Sequence, residues 1–70
     1  MFIKVSVLKL NSITRVPEDD GVRYLNVDKI IEMNPVVFNN IVLTDICYDM
    51  VTDYNCIRVK ESIEEILERI

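Results

Sequence analysis

Seventy residues with eight Lys and Arg against twelve Asp and Glu, a net charge of −4, make room for one small domain and exclude a two-domain enzyme. Half of the residues are apolar, one is glycine and two are proline, a balance that neither a disordered chain nor a flexible linker shows. With no histidine and only two cysteines, a conventional His-based triad and a Cys/His zinc site are both excluded.

From Phe2 to Leu10 the pattern predicts a first strand, with Ile3, Val5 and Val7 on one side and Lys4 and Ser6 on the other. Phe2, Leu8 and Leu10 make that second side partly apolar as well. Pro17-Glu18-Asp19-Asp20-Gly21 combines proline, acids and the single glycine, and predicts a turn with Gly21 at positive φ. A second strand, about Val22 to Val27, should follow as its hairpin partner. Asn26 and Asp28 can both bond locally to the backbone, so Asn26 to Ile30 reads as one helical turn or tight bend. Ile30 to Met33 then reads as a short third strand closed by Asn34-Pro35. Val36 to Thr44 is rich in β-branched residues, with Asn39-Asn40 as an alternative hairpin corner inside it. A last strand covers Ile57 to Val59, starting near Tyr54.

The final segment reads as helix. Ser62 and Glu65 have capping-box spacing, and Ile63, Ile66, Leu67 and Ile70 recur at i, i+3, i+4 and i+7. Glu64, Glu65 and Glu68 fall near the positive end or on the polar face, and Arg69 near the negative end, as the helix dipole prefers. So short a helix does not persist alone in water, and its aliphatic stripe must dock on the sheet.

Charge is divided unevenly. Residues 1–35 hold five bases and five acids, whereas Asp45, Asp49, Asp53, Glu61, Glu64, Glu65 and Glu68 outnumber Arg58, Lys60 and Arg69 in the second half. No cluster of cations exists that would displace counterions from a duplex, so direct nucleic-acid binding is disfavoured. The first apolar stretch is broken by Lys4, Ser6, Lys9 and Asn11, and no run approaches the roughly 18 residues of a membrane span. A cytoplasmic location without membrane insertion is expected, and with it two reduced, buried thiols at Cys47 and Cys56.

Asp45, Asp49 and Asp53 recur every four residues, which on a helix would align three carboxylates, but hard cations need six or more converging oxygens that this segment does not offer. A solvated face is the plainer reading. Tyr24, Tyr48 and Tyr54 suit edge or interface packing, and neither Ser12, Ser62 nor the cysteines have a histidine to activate them. One glycine provides no phosphate-cradling loop, and no cofactor is expected. Burial and ordering entropy nearly cancel in chains of this size, so the surplus of Phe2, Leu8, Leu10, Phe38, Tyr48 and Tyr54 points to association, most simply a two-fold dimer.

The first strand, Tyr24-Leu25-Asn26-Val27-Asp28-Lys29-Ile30 and Val59-Lys60-Glu61-Ser62-Ile63-Glu64-Glu65-Ile66 together resemble the small flagellar and swarming-motility protein family. In that family a Met-Ile-x-Val strand leads to a Leu-Asn-x-x-x-Ile segment, a hairpin, then Val-x-Glu-Ser-x-x-Glu and a terminal helix. Short phage and mobile-element proteins share the layout, and the LytTR type of DNA-binding domain is similar in its Ile-x-Val-x-x-Ile strand and Ser-x-x-Glu element.

The expectation is a single α+β domain over residues 1–70, a small twisted, mostly antiparallel sheet of four to five strands with one C-terminal helix packed on it. Its function is expected to be non-enzymatic: an interaction module that self-associates and docks a protein partner, with Asp45, Asp49, Asp53, Tyr48, Tyr54 and Phe38 as candidate contact residues. The alternative is an acidic phage- or element-encoded inhibitor that mimics nucleic-acid charge on a host protein.

Overall fold

Alternation builds β1 (Phe2–Leu10): Ile3, Val5 and Val7 turn inward and are buried, while Phe2, Lys4 and Leu10 stay exposed. The computed structural model describes residues 1–49 and 54–70. Among them five strands form one sheet in the order β2-β1-β5-β4-β3, every neighbouring pair antiparallel. The last strand in the chain, β5 (Tyr54–Val59), therefore lies at the centre.

The turn expected at Pro17 to Gly21 is not there. Those residues open β2 (Pro17–Asn26), and the chain reverses earlier, between Asn11 and Val16. The Asn11 side-chain oxygen accepts from the N–H groups of Ile13 and Thr14, an Asx turn that sets the bend before the proline arrives. Gly21 does take a positive φ, +89°, but at a bulge: Ser6 pairs with Val22 and Leu8 with Asp19, so Asp20 and Gly21 together oppose Val7. Turn-forming residues were available, and the extra residue used them inside a strand.

Asn26 caps a 3-10 turn (Val27–Lys29) by accepting from the Asp28 N–H at 3.1 Å, as its local bonding capacity predicts. The third strand, β3 (Ile30–Phe38), does not end at Asn34-Pro35 but runs through it. Pro35 is tolerated because β3 is an edge strand, where a missing N–H breaks no ladder on the open side. Asn39 and Asn40 then form the corner, at φ +47° and +65°, the paired left-handed geometry that asparagine tolerates in two-residue hairpins. The chain returns as β4 (Ile41–Asp49).

The helix α1 (Ile63–Arg69) begins with the expected capping box: Ser62 Oγ accepts from the Glu65 N–H at 3.2 Å, and the Glu65 carboxylate accepts from the Ser62 N–H. It lies across one face of the sheet against β1 and β3. Ile66 is fully buried there among Ile3, Val5, Val7, Leu25, Ile46 and Val59, which form the core. The fold is the small α+β domain that the strand and helix periodicities predict. No helix among the described residues is long and apolar enough to cross a membrane.

The cysteines require a correction. Cys47 and Cys56 occupy one rung of the β4–β5 ladder, their Cα atoms 4.0 Å apart, and their sulfurs are bonded to each other. Cys47 is buried but Cys56 is exposed. The expectation of two reduced, buried thiols came from compartment, whereas proximity is decided by register, and this register sets the two side chains directly opposite.

Candidate functional site

With α1 covering one face of the sheet, alternation assigns the other face its residues: Leu8 and Leu10 from β1, Pro17, Val22 and Tyr24 from β2, Val36 and Phe38 from β3, and Ile41 and Leu43 from β4. At one end these arms enclose an open groove of about 350 Å³ lined by Leu8, Val16, Pro17, Phe38, Ile41 and Leu43, with Asn39 and Lys60 beside them. Leu43 is buried, Leu8 and Phe38 are half-buried, and Val16 and Ile41 are exposed. Tyr24 and Phe2 continue the exposed apolar surface on the same face.

The charges of this face are largely matched within it. Arg58 grips Asp45 with two bonds, Nε to Oδ1 at 2.8 Å and Nη2 to Oδ2 at 3.1 Å, and that hydrogen bonding raises the guanidinium's already high pKa. Lys60 Nζ lies 2.9 Å from Asp19 Oδ1. The disulfide falls on the same face, one pleat from the Asp45–Arg58 rung.

Of the residues expected to meet a partner, the described ones are not brought together. Phe38 lines the groove. Asp45 is taken up by Arg58, and Asp49, although on the same face, stands two pleats away, roughly 13 Å along an extended strand. Four-residue spacing aligns carboxylates on a helix but only separates them on a strand. Tyr48 points to the helix-bearing face, where its hydroxyl accepts from Arg23 Nη1 at 3.5 Å. Asp53 and the Tyr54 side chain lie outside the described residues. Among the described residues no three side chains of the metal-holding types converge.

A second polar cluster, centred on Glu61, supports the scaffold. Past Val59 the chain leaves the sheet for α1: the Lys60 N–H still donates to the Ser6 carbonyl at 3.0 Å, but the Ser6 N–H and the Lys4 carbonyl lose the strand that would have met them. Side chains replace it. The Glu61 carboxylate accepts from the Ser6 N–H at 2.9 and 3.2 Å and from Arg69 Nη1 at 3.1 Å, while Arg69 also donates to the Lys4 carbonyl at 2.8 Å. The Thr44 hydroxyl, wholly buried, donates to the Glu61 carbonyl at 2.7 Å. Burial opposes the Glu61 charge, but the Ser6 and Glu61 backbone N–H groups and Arg69 outweigh it and hold the carboxyl below the ordinary glutamate value. In the sequence Glu61 is one acid among twelve, and only the departure of the chain from the sheet gives it this role.

Leu8 was legible as surplus apolar surface on β1. Pro17 was not, because it opened a segment with the signature of a turn, Val16 stood before that segment outside any predicted element, and Ile41 and Leu43 sat inside a run whose corner was ambiguous. No family model, curated protein or solved structure matches the chain. Its functional reading therefore rests on its own residues.

Proposed function

We propose that the chain is a non-enzymatic protein-interaction module that self-associates through its helix-free face, most simply as a two-fold dimer, and docks a further protein partner. The observation that carries this reading is the open apolar groove between the two hairpin arms, lined by six aliphatic or aromatic residues on a face that α1 leaves bare. Charge supports it. The face sets Lys4, Arg58 and Lys60 against Asp19, Glu32, Asp45 and Asp49, and four of these are tied in two ion pairs. A second copy can approach such a face without meeting a like-charged field, while the exposed Glu64, Glu65 and Glu68 of α1 stay on the far side for a basic partner. The area is also sufficient: the molecule measures 34 × 28 × 19 Å, and a broad face of that outline accommodates the roughly 800 Å² per partner of a standard interface.

The charge-mimic alternative draws less support, because Asp45, one of its three spaced carboxylates, is engaged by Arg58. Sedimentation equilibrium of the full chain from low to high micromolar tests the reading. A concentration-dependent dimer that Ile41→Asp disperses is expected, since Ile41 is exposed and its replacement spares the core. A strict monomer at every concentration sinks it.

A further inference from the structure

The hairpin arm that forms one wall of the groove carries, three residues from Val16, the most exposed large apolar side chain among the described residues: Ile13, at 89%. A lone exposed aliphatic is ordinary on a protein surface. Ile13 differs in how firmly it is held. Its N–H and that of Thr14 bond to Asn11 Oδ1 at 2.8 and 3.0 Å, and the Arg15 N–H reaches the Asn11 carbonyl at 2.9 Å. The Asn11 N–H closes on the Val16 carbonyl at 3.0 Å, and Asn11 Nδ2 donates to Glu18 at 2.8 Å. Turn tips usually carry polar residues. Here an apolar one is presented on a braced turn, so little chain entropy is left to lose when it is buried against a partner.

We infer that Ile13 is the anchor of the self-association proposed above: the Ile13 side chain of one copy seats in the Leu8, Pro17, Phe38, Ile41 and Leu43 groove of a second copy, and the second copy returns the same contact. The inference rests on the dimer reading and adds its geometry. The knob lies at the tip of the β1–β2 arm, which forms one wall of the groove, so a two-fold axis beside that arm would let each tip reach the other's groove, making two equal contacts and a closed assembly. A groove of about 350 Å³ falls at the small end of the roughly 300–1,000 Å³ range of ligand pockets, which suits an aliphatic side chain with its turn rather than a large ligand. Lys60, beside the groove, enters the contact already paired with Asp19, so it is not left as an unpaired charge.

Sedimentation equilibrium and circular dichroism on the full chain test this with Ile13→Asp, Ile13→Ala and Ile41→Asp. At concentrations low enough for the wild type to be monomeric, both variants of Ile13 should keep its melting curve, since the exposed side chain contributes nothing to the core. Ile13→Asp should be monomeric, and Ile13→Ala should bind itself at least about tenfold more weakly, as losing two buried isoleucines implies. The decisive sample is an equimolar mixture of Ile13→Asp and Ile41→Asp. Each is monomeric alone, but together one intact knob meets one intact groove, and association partly returns. A wild-type dimer that survives both Ile13 substitutions overturns the anchor and leaves self-association standing, as does a mixture that stays monomeric. A monomeric wild type overturns both.

Discussion

Glu61 shows how much a single side chain can be asked to do when a strand ends early. Its carboxylate stands in for the missing β5 backbone at Ser6 and fastens α1 through Arg69, and its carbonyl receives the buried Thr44 hydroxyl. Removing the acceptor strands the Ser6 N–H in a poorly solvated site, which costs about 1–3 kcal/mol. Glu61→Ala should therefore lower the unfolding free energy from urea titration by about that amount. The charge has a pH signature. Because the folded-state pKa lies below the unfolded one, Glu61 contributes stability that is fully present above the ordinary glutamate value and disappears as pH falls through the lower, folded value. Thermal melts of wild type and Glu61→Gln should differ most near neutrality and converge in acid; curves that stay parallel down to low pH would mean that the carboxylate is not held in its ionised form. None of this was visible in the sequence, where Glu61 differs from its neighbours only by preceding the cap residue Ser62.

At the level of elements, periodic signals transferred and punctuation signals did not. β1 and α1 were legible because each shows one period over most of its length, 2 for Ile3, Val5 and Val7 and 3.6 for Ile63, Ile66, Leu67 and Ile70, although of the helix stripe only Ile66 is buried while Leu67 and Ile70 stay exposed. Pro17 to Gly21 and Asn34-Pro35 were read as stops, yet both lie inside strands, one excused by a bulge and the other by the sheet edge. Edges and bulges are properties of the assembled sheet, so a local reading has no access to them. The Cys47–Cys56 bond belongs to the same class of fact, since it follows from the pairing of β4 with β5. It closes a loop with a sequence separation of 9, which in the chain-entropy account stabilises by roughly 2–3 kcal/mol. Reduction, or the double substitution Cys47→Ser with Cys56→Ser, should lower the unfolding free energy by about that much, and the denatured wild-type chain should titrate no thiol until a reductant is added. Two reactive thiols in the untreated, denatured chain would contradict the bond.

Across the whole molecule, the proposed self-association is compatible with a net charge of −4 because Lys4, Arg58 and Lys60 nearly balance Asp19, Glu32, Asp45 and Asp49 on the groove face. The core sits between α1 and the sheet, the exposed carboxylates Glu64, Glu65 and Glu68 lie on the helix side, and the groove opens on the other face. Its lining comes from β1, β2, β3, β4 and the turn before β2, positions brought together only by the β2-β1-β5-β4-β3 order, which is why the sequence showed a surplus of apolar residues but not their meeting place. The arrangement fixes the sign of the salt response. Two copies of equal charge repel at long range, and the contact proposed for them is apolar, with the Arg58–Asp45 and Lys60–Asp19 pairs already closed within each chain. Added salt shortens the screening length from about 10 Å at 0.1 M to about 3 Å at 1 M, which weakens the repulsion and leaves the apolar contact intact. The dimer dissociation constant, followed by sedimentation over that range, should hold steady or tighten by a few-fold. Loosening by an order of magnitude would show that opposite charges across the interface hold the copies together, and the groove would lose its claim to be the contact.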